Sequence, residues 1–269
     1  MALTTKEFYK IADEIAPKFL SDEYCQKYGA YDNSGILVDT GMDIKKALFS
    51  LDLSKTAIDK AVEYGADVIV THHPAIYGGV QSIREDDPLG WKLCSCIRCG
   101  ISVISMHLNL DAVTGGIDES LQNAVLLSTN TQKGGETQIM HPVTKGGYGR
   151  VYDVEETDLA TLCKNLGETL NSKKTLYYGD GNKKMKRAAS FCGAGVDNET
   201  LAFAKTQGAD VIISADYKHH FITQALEWGM SVIVLTHYAA EEYGFKQYYE
   251  NVRRQTDVAC QYHVDERLL

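Results

Sequence analysis

The chain has 269 residues, 44% hydrophobic and 23% charged, ordinary values for a globular protein with room for one large domain or two smaller ones. That composition excludes a disordered, collagen-like or disulfide-scaffold protein. With 27 Lys and Arg against 36 Asp and Glu the net charge is −9, so the chain as a whole repels phosphate backbones and a nucleic-acid partner is not expected. The opening residues, MALTTKEFYKIADE, are polar and acidic at once and lack the basic and apolar regions of a secretory signal. No apolar run approaches the ~18 residues of a membrane span. Seven cysteines, an odd count, read as reduced thiols. The expectation is a soluble, cytoplasmic protein with no membrane partner.

Thr4-x-x-Glu7 has the form of a capping box, and apolar residues at Phe8, Ile11, Ile15 and Phe19 predict a helix over 5–20. The turn-rich Tyr31-Asp32-Asn33-Ser34-Gly35 leads into a short strand, Ile36–Val38. From Ala47 the chain alternates: strand 47–52, helix 54–64, strand 67–71, helix 88–99, strand 101–106, helix 116–127. Ser128–Gly147, rich in Thr, Gln, Gly and Asn, reads as a linker or irregular crossover. Alternation resumes with strand 148–154, helix 157–170, strands 175–179 and 187–192, helix 197–207, strand 210–215, helix 218–228, strand 231–236 and helix 239–254, and a polar strand, 258–263, closes the chain. Strands alternating with helices of about ten residues predict βαβ units, hence an α/β fold with largely parallel or mixed sheets and flanking helices.

An internal repeat divides this fold into two related halves. Gly65-Ala66-Asp67-Val68-Ile69-Val70 recurs as Gly208-Ala209-Asp210-Val211-Ile212-Ile213. A histidine pair follows each copy, His72-His73 and His219-His220. A second similar strand comes next in each half, ending in His107-x-x-x-Asp111 and His237-x-x-x-Glu241.

In an open parallel sheet, ligands gather beyond the carboxyl ends of the strands. His72, His73, His107, Asp111, His220, His237 and Glu241 all fall just past such ends. Imidazole and carboxylate donors together suit Zn, Fe or Mn, and because a carboxylate can bridge two ions the mixed set favours a dinuclear centre. His237 and Glu241 share a face if the segment is helical. His72 and His73 stand where Pro74 stops the strand, so the backbone can turn each ring to a different ion. Taken singly, each histidine has a plainer reading as a hydrogen-bonded structural residue; the set at one edge argues for metal. Asp216 precedes His220 by four residues, a spacing that would set the carboxylate against the ring and orient it.

The remaining motifs read plainly. His219 belongs to a solvated helix face, and His141 and His263 have no assigned role. Cys94-x-Cys96-x-x-Cys99 sits at the wrong end of its helix to stabilise a thiolate and lacks a fourth cysteine for zinc, so these are expected to be buried structural thiols. Gly193-Ala194-Gly195 is a weak candidate anion-binding turn. Lys183-Lys184-Met185-Lys186-Arg187, the one basic cluster, reads as a solvated hairpin turn.

Asp32-Asn33-x-Gly35, Thr71-His72-His73-Pro74, His107-x-Asn109-Leu110-Asp111, Gly115-Gly116 and His237-x-x-x-Glu241 together resemble the dinuclear-metal Nif-three-like family, whose members are often named GTP cyclohydrolase 1 type 2 homologs. The resemblance covers nearly the whole chain. It implies a two-domain protein assembled as a ring-shaped homohexamer, with two divalent metal ions per subunit facing the central cavity. The matching ligands are His72, His73, Asp111, His237 and Glu241, with Glu241 as the bridging carboxylate. The expected division is a metal-binding α/β domain of residues 1–127 plus 236–269 and a second, related α/β domain of residues 128–235. Family members often carry Thr where this chain has Leu108, a difference in the pocket wall. Some relatives carry an inserted domain, for which Ser128–Gly147 leaves no room. The implied activity is hydrolytic opening of the GTP purine ring, or attack on another nucleotide or small heterocycle by metal-activated water. His107 and His220, outside the five-ligand set, are the candidates for proton transfer. The rival reading is a non-enzymatic ring, a scaffold or regulator whose metals are structural.

Overall fold

A computed structural model describes residues 2–132 and 135–269. The capping box forms: Thr4 Oγ1 accepts from the Glu7 amide and the Glu7 carboxylate accepts from the Thr4 amide, opening α1 (Thr5–Ile15). Pro17 disfavours helical backbone at Ala16, so the chain breaks there and a second helix, α2 (Lys18–Tyr28), starts and ends at Gly29 in the left-handed region. The helix expected over 5–20 is therefore two, and Phe19 is exposed.

The chain continues through β1 (Gly35–Val38), β2 (Lys46–Ser50), α3 (Lys55–Tyr64), β3 (Val68–Thr71), α4 (Pro88–Arg98), β4 (Ser102–Ser105), α5 (Leu108–Ala112) and α6 (Ile117–Ser128). The latter half of the expected linker is instead a hairpin. β5 (Gln138–Val143) and β6 (Gly146–Asp158) form an antiparallel hairpin, whose edge strand, with Ile139 and Met140 adjacent, lacks an alternating pattern; Lys133 and Gly134 lie outside the described residues. There follow α7 (Leu159–Thr169), β7 (Leu176–Tyr178), β8 (Lys184–Ser190), α8 (Asn198–Thr206), β9 (Val211–Ser214), α9 (His219–Glu227), β10 (Ser231–Val234), α10 (His237–Arg254) and β11 (Ala259–His263).

The described residues divide into two compact units, one running to Val113 and including Phe245–Asp265, the other comprising Thr114–Gly244 and Glu266–Leu269. The first holds a five-stranded sheet in the order β1-β4-β3-β2-β11, parallel except for edge strand β1. Leu48, Ile69 and Val103 from its central strands pack with Ile58, Ala61 and Cys96 from α3 and α4. The second holds a six-stranded sheet in the order β5-β6-β8-β9-β10-β7, in which β8, β9 and β10 are parallel and the rest antiparallel. Its core joins Val151, Ala189, Ile212 and Val232 to Leu201, Ala204, Phe221 and Ala225 from α8 and α9. Among the described residues no helix is long and apolar enough to cross a membrane.

The two halves share bonding as well as sequence. Asp67 Oδ2 accepts from the amides of Lys45 and Lys46 at 2.8 and 2.9 Å, while the Asp67 carbonyl accepts from Ser102 N. In the second unit Asp210 Oδ2 accepts from the amides of Lys186 and Arg187 at 2.8 and 3.0 Å, and its carbonyl accepts from Ser231 N. In each half one aspartate clips the start of its own strand to the neighbour before it and receives the neighbour after it.

Candidate metal centre

Because β2, β3 and β4 are parallel, their carboxyl ends lie along one edge of the first sheet. Asp52 follows β2, His72 and His73 follow β3, and His107 follows β4, with Asp111 in the short α5. His72 is fully buried, and its Nδ1 lies 2.8 Å from the Met106 carbonyl oxygen. A carbonyl only accepts, so Nδ1 donates and the Nε2 lone pair is left for another partner. His73 Nδ1 is paired with Asp52 Oδ1 at 2.8 Å and His107 Nδ1 with Asp32 Oδ1 at 2.7 Å. The same tautomer follows for these rings when neutral.

The rings of His72 and His73 lie 4.8 Å apart between centroids, and those of His72 and His107 5.1 Å. His72 Nε2 stands 3.5 Å from Asp111 Oδ1. His72, His107 and Asp111 each offer a donor atom within 4.8 Å of the others. Asp111 is only 5% exposed, and a carboxylate so buried is kept charged by a cation or by donors. Two imidazoles and a carboxylate at this separation fit the chemistry of a divalent transition metal. His107 thus stands inside the ligand cluster, with its ring held by Asp32. Burial alone would raise the Asp32 carboxyl, but hydrogen bonds from His107, Ser21 and Ser34 outweigh it and hold the group well below the usual carboxylate range.

The second unit repeats the device. Gly193 follows β8, Asp216 follows β9, and His237 follows β10 and opens α10, with Glu241 one turn further on. His237 Nδ1 is 2.6 Å from Asp216 Oδ2, and its Nε2 is 3.1 Å from Glu241 Oε1. Glu241 is 3% exposed. Gly193, at φ +59, makes room for it: a Cβ there would lie 2.4 Å from Glu241 Oε1. The adjacent Cys192 amide donates to Asp118 Oδ1 at 3.3 Å, while Asp118 Oδ2 accepts from Gly149 N at 3.0 Å and from the buried Arg150 Nε at 2.9 Å. The glycine pair at 193 and 195 therefore adjoins a carboxylate, which does not suit an anion-binding turn.

His220 is placed differently from the metal-side histidines. It is exposed in the first turn of α9, and its ring lies 4.1 Å from that of Phe221. Asp216 sits before the helix at φ +50 and gives its carboxylate to His237, so the expected Asp216–His220 pairing does not form. Counted from the clipping aspartates, Asp216 holds the place of His73, and His219-His220 lie beyond the repeat. That count is the signal that could have assigned Asp216 to the strand tip. Asp52, Asp118 and Arg150 carry no motif and were not foreseen.

The other motifs resolve simply. Cys96 is buried, Cys94 half-buried and Cys99 exposed, so the three thiols are not uniformly core. Lys184, Lys186 and Arg187 lie in β8 and pair across the ladder with Asp158, Glu156 and Asp153 of β6, which neutralises the basic cluster. His219 is exposed, His141 is half-buried in β5, and His263 ends β11 within 3.4 Å of Thr56 Oγ1.

Known proteins match this chain along nearly its whole length. A protein of Clostridium perfringens named GTP cyclohydrolase 1 type 2 homolog is 32% identical over 238 residues, 87% of this chain and 86% of that one. NGG1-interacting factor 3 of Saccharomyces cerevisiae is 26% identical over 265 residues, 91% and 90% of the two chains. The crystal structure of a Bacillus cereus protein related to NIF3 superposes with a TM-score of 0.79 at 19% identity, covering 98% of this chain and 97% of that one, a likeness of fold. The family model Duf34/NIF3 (NGG1p interacting factor 3) matches residues 3–266, and the chain belongs to that family.

Proposed function

We propose that the chain is a divalent-metal-dependent hydrolase that binds two ions through His72, His73, Asp111, His237 and Glu241 and opens the ring of a purine nucleotide, the activity named in its relatives. One observation carries the proposal. His72, His73 and His237, the three histidines of that ligand set, all have Nδ1 on an oxygen acceptor, which orients each ring and leaves Nε2 to donate to an ion. A divalent ion held by such donors supplies Lewis acidity and lets water ionise near neutral pH. His107, held by Asp32, takes the proton of the attacking water at Nε2 and returns it to the departing ring nitrogen as the C–N bond breaks. His220, whose ring lies against Phe221, has no part in this scheme.

The test is elemental analysis of the purified wild type and of Glu241→Gln, followed by a nucleotide hydrolysis screen with Zn, Fe or Mn restored. Two ions in the wild type and their loss in the variant support the ligand set; two ions retained in Glu241→Gln overturn it. The ring-shaped homohexamer belongs to the same proposal, and sedimentation showing a monomer at micromolar concentration removes it. The yeast relative's name, an interacting factor, favours a second reading, a scaffold or regulator whose metals are structural. Failure of the metal-loaded wild type to hydrolyse any nucleotide selects that reading.

A further inference from the structure

Two large aromatic side chains stand in the open next to the first unit's histidines. Tyr77, in the loop after His73-Pro74, is 54% exposed, and Tyr31, in the turn before β1, is 55% exposed. Their rings meet edge to face at 5.4 Å and 83°, and the Tyr77 ring lies 6.1 Å from that of His107 at 88°. They are held in place. The Tyr77 hydroxyl donates to the Tyr31 carbonyl at 3.2 Å, and the Asn33 amide donates to the Ile76 carbonyl at 2.5 Å, joining the two loops twice. Exposed aromatic area is costly to leave in water, and rings fixed in a corner lose little further freedom when a flat ligand arrives.

Tyr77 also borders a recess of about 590 Å³, a volume within the usual range for small-molecule sites. Gly78, Gly79, Arg84, Asp86 and Asp87 line it too. Arg84 commits its guanidinium to Asp86, through Nε at 2.9 Å and Nη2 at 2.5 Å. With one paired arginine against two aspartates, the recess has no surplus positive charge to grip a polyphosphate. Its one aromatic wall is the Tyr77 ring.

We propose that Tyr77, backed by Tyr31, is the stacking residue that seats a planar nitrogen heterocycle beside His107, and that the ring, not the phosphate, is the part of the substrate this site selects. The inference rests on the metal-site proposal and deepens it by naming the recognised group. A purely structural role for the pair, pinning two loops through the hydroxyl, makes a different prediction: it depends on the Tyr77 oxygen, whereas stacking depends on the ring.

The experiment uses wild type, Tyr77→Phe and Tyr77→Ala, each loaded with Mn and its metal content measured. Binding of guanosine 5′-monophosphate and of ribose 5-phosphate is then followed by calorimetry. Stacking of one base typically accounts for a loss of about tenfold or more on truncation to alanine. The expected result is guanosine 5′-monophosphate bound more tightly than ribose 5-phosphate by the wild type, weakened at least tenfold in Tyr77→Ala and preserved in Tyr77→Phe. The expected effect of either variant on ribose 5-phosphate is less than twofold. Equal binding of the two probes by the wild type, no binding of guanosine 5′-monophosphate, or unchanged binding in Tyr77→Ala overturns the proposal. A wild type that takes up no metal refutes the metal-site reading instead, so the two failures are read from different measurements.

Discussion

Replacing Gly193 by alanine tests the second unit's His237–Glu241 pair without altering either residue. At φ +59 an alanine incurs the left-handed penalty of about 1–2 kcal/mol. Its Cβ would stand 2.4 Å from Glu241 Oε1 where ordinary contact begins at 3.4 Å, so the oxygen must retreat by about 1 Å. The clash is with the far end of a side chain rather than with backbone, and the fold survives it. A metal site does not survive it so well, since ligand distances hold within about 0.2 Å. Gly208→Ala is the control: Gly208, in the same unit, is at φ +74, and a Cβ added there would meet nothing within 4 Å. Both variants should lose roughly 2–8 °C in thermal unfolding followed by circular dichroism. Only Gly193→Ala should also weaken metal binding, by about 10–100-fold in a titration, the size usual for a disturbed ligand shell. Equal metal affinity in the two variants would refute the assignment of Glu241 as a ligand.

Asp32→Asn removes a carboxylate held low by its hydrogen bonds. A depressed folded value stabilises above the unfolded carboxyl pKa of about 3.9 and the contribution is lost as pH falls below it, so urea midpoints should place the variant about 2 kcal/mol below wild type at pH 7, with the gap closing below about pH 4. Asp118→Ala leaves the 4%-exposed Arg150 with only the Gly147 carbonyl at 3.2 Å and the Glu119 carboxylate at 3.6 Å among the contacts described and should cost about 2–3 kcal/mol in chemical denaturation, most of it recovered when Arg150→Met is added. Burial pushes the Cys96 thiol up to about 12 while Cys99 is exposed, so mass spectrometry of native protein alkylated at pH 8 should find Cys99 modified well before Cys96. His220→Ala should leave metal content and melting temperature unchanged, because the ring is exposed and lies against Phe221.

Most of the scaffold was legible because its signals are local. Gly65 closes α3 in the left-handed region, Val68–Thr71 is buried throughout, and the matching Gly208 and Val211–Ser214 do the same in the second half. The break at Pro17 and the β5–β6 hairpin were missed for opposite reasons. Apolar spacing ran on past a proline that stops the helix, and an edge strand of half-buried residues, with Ile139 and Met140 adjacent, gave no alternation to read. At the site, the histidines and acids past the strand ends could be named from the repeat. Their supporting carboxylates could not: Asp32 lies 75 positions from His107 and Asp52 lies 21 from His73, and no spacing rule connects residues that only the sheet order brings together.

The paired aspartate clips bear on how such a protein can change. Asp67 and Asp210 fix strand alignment at the amino ends of β3 and β9 through main-chain amides alone, so alignment does not depend on what stands at the opposite ends. There the two halves have already parted: one position is an imidazole, His73, and its counterpart is a carboxylate, Asp216, that serves another imidazole. A duplicated frame anchored at one end leaves the other free to vary residue by residue. Donor sets at those tips can accordingly be exchanged for others, in evolution or by design, while the sheet that presents them keeps its register.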